Sequence, residues 1–261
     1  MHRYVNVFGE PADSSGFRVN DLLQAFFSHS QEHKHGWGLA IFRGGGVSLE
    51  KEPVKAEDSK YLRQRLSRPV EGASLFAHIR LATIGRIEYA NCHPFIWDDE
   101  SGRTWTMIHN GTLFEGNKLA PFLDMQEGTT DSERLLLYII HRMNEAYAKA
   151  GQPLHDQKRL QLLDEIIVDL SAGNKLNLLL YDGEIMYVHT NCREYLHYWE
   201  GPQRRIFSTK PFLMDGWRPV PMNQMLAFRQ GEQIFQGSQH GNIFHEEDYD
   251  MGSLLSAFAE L

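Results

Sequence analysis

Five short polar clusters hold the residue types that could do chemistry: HGWG (35–38), AHIRLAT (77–83), NCHPF (91–95), HNGTL (109–113) and TTDSE (129–133). Between them they offer a planar cation at Arg80, a carboxylate at Asp131 and a side-chain amide next to a glycine at Asn110-Gly111. Each has an ordinary reading when taken alone. A strand-end arginine makes a surface ion pair, an Asn-Gly pair makes a turn, and an aspartate before an apolar run caps a helix. Thirteen histidines raise a further option, metal or acid/base chemistry.

The elements that must position these clusters are legible in the periodicity. A strand is expected over residues 3–8, ending at Gly9-Glu10-Pro11. Asn20 is expected to cap a short helix over DLLQAFFSHS, whose apolar stripe is Leu22, Leu23, Phe26 and Phe27. His33 and His35 flank the following loop and are expected to face solvent. WGLAIFR and VSLEKEP form a hairpin about Gly44-Gly45-Gly46, with a charged helix near 57–67. SLFAHIR (74–80) and TWTMIHNG (104–111) read as strands that end in charged or amide groups. Asp131 opens a long helix through Leu135, Leu136, Ile139, Ile140 and Met143, and a second spans about 157–170 before Gly173. KLNLLLYDGEIMYVHT is a hairpin at Asp182-Gly183, and RRIFST, QMLAFRQ and EQIFQG continue the β pattern. Strands, then two helices, then strands again imply helices packed on paired sheets.

Composition narrows the classes. The chain has 261 residues, suited to one large domain over 1–261 with 241–261 as a peripheral tail that includes the acidic run HEEDYD. Its net charge of −8, with no basic block, argues against nucleic acid as a partner. The longest apolar runs, LLLYII and LNLLLY, are too short for a membrane span, and no apolar segment of leader length opens the chain. Cys92 and Cys192 allow a single disulfide and no metal-type cysteine pairing, so a reducing, cytoplasmic setting is expected. The Gly44-Gly45-Gly46 run lacks the Lys-Ser/Thr of a phosphate loop, and no dinucleotide fingerprint is visible.

The order of the five clusters behind an N-terminal strand resembles the class II glutamine amidotransferases, which belong to the N-terminal-nucleophile hydrolases. Within them it is most similar to the small stand-alone amidotransferase-like proteins. The resemblance covers about the first 135 residues by motif and the rest more loosely, through the strand pattern and STKPF (208–212). It implies an α+β fold, the four-layer αββα sandwich of the N-terminal-nucleophile hydrolases, and a ligand that is glutamine or a γ-glutamyl compound. By that resemblance Arg80 grips the α-carboxylate as a bidentate fork, with Thr83 helping, and Asp131 takes the α-ammonium. The Asn110 side-chain amide and the Gly111 backbone N–H form the oxyanion hole for the tetrahedral intermediate. Trp37 and Gly38 belong to a segment near the substrate pocket. No cofactor is implied, and the ammonia acceptor would be a partner synthase or acceptor enzyme.

One position departs from the family pattern. In active members the second encoded residue is a cysteine that becomes residue one, its thiolate attacking the amide and its free α-amine handling the proton. Here His2 stands at the nucleophile position. Its bulk is expected to leave Met1 attached, and the longer ring misplaces the attacking atom. Cys92 is internal and reads as a packed thiol, and Cys192 as structural. The expectation is a glutamine-binding protein whose amide hydrolysis is impaired. One alternative is a catalytically silent regulatory module that keeps the glutamine clamp. The other is a metal site in which His2 approaches His78, His93 or His109.

Overall fold

A computed structural model describes the main chain of residues 3–8, and residues 18–82, 85–114, 117–201 and 204–245 in full. These fall into two compact units. The first draws on Met1–Ala82, Ile87–Pro94 and Glu194–Val220, the second on Thr83–Arg86, Phe95–Arg193 and Pro221–Leu261. His2 and Thr83 lie outside the described residues.

The chain begins in the first unit with β1 (Arg3–Phe8), α1 (Val19–Ser28), β2 (Trp37–Arg43), β3 (Gly46–Glu52), α2 (Lys60–Leu66) and β4 (Ser74–Ile79). It builds the second with β5 (Phe95–Asp98), β6 (Thr104–His109), α3 (Asp131–Ala150), α4 (Asp156–Ser171), β7 (Leu178–Tyr181) and β8 (Met186–His189). It then returns to the first for β9 (His197–Gly201), β10 (Arg204–Ser208) and β11 (Arg218–Pro219), and ends in the second with β12 (Leu226–Arg229) and β13 (Glu232–Gln236).

In the first unit the sheet order is β11-β9-β10-β1-β4-β2-β3. The expected first strand is thus central, with Arg3 opposite Ile79 and Val5 opposite Ser208. Alternate residues Trp37, Leu39 and Ile41 of β2 and Leu75, Ala77 and Ile79 of β4 meet Leu22, Leu23, Phe26 and Phe27 of α1 and Leu62 and Leu66 of α2 in one core. Two-residue periodicity on the strands facing 3.6-residue periodicity on the helices produces this layer pair. Gly44 and Gly45, at φ 53° and 83°, supply the two left-handed residues that the tight β2–β3 turn needs.

In the second unit the order is β13-β12-β8-β7-β6-β5. Here Trp105, Met107, Leu178, Leu180 and Tyr187 pack against Leu135, Leu136, Ile139 and Ile140 of α3 and Leu163, Ile166, Ile167 and Leu170 of α4. Each unit therefore supplies one sheet and one helical layer. All residues of β4, β7 and β8 are buried, which is why LLLY reads as continuously apolar instead of alternating.

Four local features differ from the sequence expectation or add to it. Asn20 does not cap α1: Arg18 occupies that position and its N–H donates to Asp21, while the Asn20 side chain bonds Leu66 O, Arg68 O and Val70 N–H at 2.8 Å each. The amide thus ties α1 to the end of α2 and the segment after it instead of closing its own helix. His33 is buried and His35 half-buried, because the loop they flank folds onto the unit. The tail expected from residue 241 is anchored at its start: the Phe244 N–H donates to Asn191 O at 2.9 Å, and its ring stacks on Phe114 at 5.6 Å. Strands β5, β9 and β11 were not expected, since FIWD follows Pro94 directly and HYWEG has no buried residue to give it an alternating pattern.

Candidate functional site

The second unit holds the Asn-Gly cluster at the end of β6. The ladder between β6 and β7 runs through His109 opposite Leu178 and continues past both strands. Thr112 and Lys175 exchange both main-chain hydrogen bonds, at 3.0 and 3.1 Å, and the Asn110 N–H donates to Asn177 O at 2.8 Å. Gly111 lies between these two bonded positions. In an antiparallel ladder the N–H at such a position points away from the partner strand. On that far side β5 has already ended, its last rung being Phe95 opposite Met107. Among the described residues no acceptor meets the Gly111 N–H. A side chain is excluded there, because a Cβ at 111 would come within 1.8 Å of Lys175 O and 2.4 Å of His109 Nε2.

His109 closes this arrangement from behind. Its Nε2 lies 3.2 Å from Lys175 O and its Nδ1 3.0 Å from Ser132 Oγ. A carbonyl only accepts, so Nε2 carries the proton and Ser132 donates to Nδ1. Burial lowers the His109 pKa and keeps the ring neutral.

Asp131 is the first residue of α3 and is buried. The cap role considered for it belongs to Thr130, whose hydroxyl accepts from the Glu133 N–H at 3.2 Å. The Asp131 carboxylate is instead aimed by main chain: Oδ2 accepts from the Leu113 N–H and Oδ1 from the Ser132 N–H, both at 2.9 Å. A carboxylate has about four lone-pair sites, so two N–H donors fix its orientation and leave capacity for a further cation. Leu113 lies two residues after Gly111, so the same loop carries the oxyanion candidate and orients the aspartate.

The first unit holds Arg80 at the end of β4. It is 2% exposed, which removes the surface ion-pair reading. Its main chain is clamped: the N–H donates to Gly36 O at 2.8 Å and the carbonyl accepts from the His35 N–H at 2.9 Å. The next turn is held by His35 too, whose Nδ1 accepts from the Ala82 N–H at 2.9 Å. Burial first, then the Arg80 and Lys34 charges, push the His35 pKa down and keep that nitrogen an acceptor.

Trp37 is fully buried in the same unit. Its ring is stacked with Tyr61 and edge-on to Phe27, and its indole N–H donates to Glu52 at 3.1 Å. Gly38 answers to close packing, since a Cβ there would lie 1.9 Å from His93 O. Cys92 and Cys192 are buried and not joined in a disulfide, and burial pushes the Cys92 thiol up to about 11. His78 and His93 pack ring against ring at 4.3 Å. Among the described residues no group of three or more His, Cys, Asp and Glu side chains could hold a metal ion. No described helix is long and apolar enough to cross a membrane.

Three positioning groups escaped the sequence reading: His35, Ser132 and the segment Asn174–Asn177. The available signal for the last was Asn177, a polar residue inside the otherwise apolar run KLNLLLY.

The chain matches a known family. The profile of the class-II glutamine amidotransferases matches residues 22–206, and the chain belongs to that family. The Escherichia coli protein YafJ, provisionally named as a glutamine amidotransferase, is 30% identical over 169 residues, covering 64% of this chain and 63% of its own length. The chain thus spans less than two thirds of that relative. Glutamine phosphoribosylpyrophosphate amidotransferase from B. subtilis superposes with a TM-score of 0.64 at 16% identity, over 92% of this chain and 50% of its own. A glutamine aminotransferase class-II domain protein from Silicibacter pomeroyi gives 0.59 at 16% identity, over 92% of this chain and 100% of its own. At these identities the two structures establish the fold alone, that of the N-terminal-nucleophile amidotransferases.

Proposed function

We propose that this chain binds glutamine or a γ-glutamyl compound, and that His2 in place of the family cysteine leaves amide hydrolysis impaired. Arg80 pairs with the α-carboxylate, with Thr83 assisting, and Asp131 takes the α-ammonium. The Asn110 side-chain amide and the Gly111 N–H receive the oxygen of the side-chain amide. The observation that carries this reading is the Gly111 N–H, held by ladder register, barred from any side chain, and without an acceptor among the described residues. Such a preorganised donor stabilises charge as it develops. Two further observations support it. Asp131 is oriented by two main-chain N–H groups with lone pairs to spare. The register of β1 puts Arg3 opposite Ile79, the neighbour of Arg80.

The test is calorimetry with glutamine together with an ammonia-release assay. The parent chain is expected to bind glutamine with negligible turnover, and Arg80→Ala and Asp131→Ala each to weaken binding by about 2 kcal/mol or more, the cost of removing one partner of a buried charge pair. His2→Cys is expected to gain ammonia release. Failure of the parent to bind glutamine, γ-glutamyl compounds included, would sink the reading.

A further inference from the structure

The strand-end pair Asn110 and Gly111 needs something to hold it, and the ladder supplies only half of what a regular pair would. In an antiparallel bonded pair each residue donates its N–H to the other's carbonyl. Thr112 and Lys175 do so. Two residues back, the Asn110 N–H donates to Asn177 O at 2.8 Å, but the Asn110 carbonyl accepts from the Asn177 side chain, Nδ2 at 2.8 Å, in place of the Asn177 main-chain N–H. A side-chain amide has replaced one rung of the ladder at the residue before Gly111.

Asn177 is itself set by a third residue. The Thr190 hydroxyl donates to Asn177 Oδ1 at 2.5 Å, and Nδ2 also points at Cys192 Sγ, 3.6 Å away. With both ends engaged the amide has one orientation: rotated by half a turn, its oxygen would face the Asn110 carbonyl. All three residues are buried, Asn177 and Thr190 at 0% and 1% exposure, so each lost bond would leave a desolvated polar group. Asn191 braces the same segment, accepting from the Leu176 N–H at 2.9 Å and donating to Asn174 O at 2.8 Å.

We infer that Asn177, oriented by Thr190, is a positioning residue for the oxyanion donors: it grips both main-chain polar groups of Asn110 and thereby sets where the Asn110 amide and the Gly111 N–H point. The inference rests on the reading of those two residues as oxyanion donors and adds to it the group that aims them. Asn177 touches no reacting atom. Its effect is expected in the transition state, when charge develops on the oxygen, and not in the binding of glutamine.

Two measurements test it on the full chain. The first is hydrogen exchange at the Asn110 and Thr112 amides, which flank Gly111. Asn177→Asp keeps size and the acceptor for Thr190 but puts an oxygen against the Asn110 carbonyl, and Thr190→Val removes only the hydroxyl. Both are expected to speed exchange at 110 and 112 by about tenfold or more, with amides of α3 unchanged, as for a local opening, while Thr190→Ser restores the parent rate. The second is kinetics in the His2→Cys chain, where Asn177→Asp is expected to lower kcat by about ten- to a hundredfold with KM within twofold. Parent-like exchange at both amides, or kcat and KM moving together, would overturn the assignment. An inactive His2→Cys chain with faster exchange at 110 and 112 would instead count against the proposed function and leave the grip standing.

Discussion

The ends of β4 and β6 look alike in sequence, each an apolar strand running into a polar residue, yet the two units treat them differently. At the end of β4 in the first unit, the main chain of Arg80 is clamped by Gly36 and His35, and most of the surrounding motif residues are absorbed into packing. Trp37 is enclosed between aromatic rings, Cys92 is a buried thiol, and Gly38 is reserved for a close main-chain approach. At the end of β6 in the second unit, packing is replaced by directed hydrogen bonds from His109, Ser132, Lys175 and Asn177. A motif shared by one family thus mixes two kinds of residue. Some make the backbone possible, and others are aimed by it.

The comparison can be broken most sharply at Trp37. Trp37→Ala is expected to cost about 3–5 kcal/mol in unfolding free energy, as for other enclosed aromatics, seen as a lowered midpoint in denaturant. Trp37→Phe, which keeps most of the packing, should leave glutamine affinity at the parent value. A loss of affinity in the folded Trp37→Phe chain would make the indole a ligand contact and erase the contrast between units.

Next come the two crowded glycines. Gly38→Ala and Gly111→Ala each force a Cβ to within 2 Å of a carbonyl oxygen, and relief of such overpacking costs about 1–3 kcal/mol. Stability should fall in both. In the His2→Cys chain, kcat per folded molecule should fall about a hundredfold for Gly111→Ala, because the donor itself moves, and stay near the parent value for Gly38→Ala. Equal kcat losses would show that the two glycines do the same job.

The last and most gradual effect is the response to acid. His189 is fully buried, its Nδ1 2.9 Å from Leu176 O and its Nε2 3.0 Å from His240 Nε2. Burial first, then the His240 charge, lower its pKa from the ordinary 6.5 to about 3. The folded chain therefore binds this proton less readily than the unfolded chain. Its stability is full above about 6.5 and declines as pH falls towards 3, by at most about 1.4 kcal/mol per pH unit from this group. Burial lowers the pKa of His109 in the same direction. Denaturant titrations at pH 7, 6 and 5 should show the decline, and His189→Gln should flatten it. An unchanged slope in that variant would assign the acid sensitivity elsewhere.

Much of this was legible without coordinates where local rules and burial agree. The hairpins at Gly44-Gly45 and Asp182-Gly183, the helix opening at Asp131 and the strand over 3–8 all follow from turn chemistry and periodicity. Asn20, His33 and Asp131 show the limit. Asn20 and Asp131 have partners elsewhere along the chain, 46 to 50 residues away for Asn20 and 18 for the Asp131 carboxylate, and His33 is buried, so local rules give a cap or an exposed loop where the fold gives neither. Asn177 was invisible for the same reason, since its meaning lies 67 residues away at Asn110.

From its sequence alone, this protein's element order, its family and its candidate Arg, Asp and Asn-Gly groups could be named, because periodicity, turn residues and motif order are properties of neighbours along the chain. Only the tertiary structure decided which of those groups are packed and which are aimed. The Gly111 N–H is directed by ladder register, the Asp131 carboxylate by the Leu113 N–H of a distant loop together with its neighbour Ser132, and the Asn110 carbonyl by a side chain from the residue before β7. A hydrogen bond depends on distance and angle in space, and no spacing along a sequence encodes either until the sheet has closed.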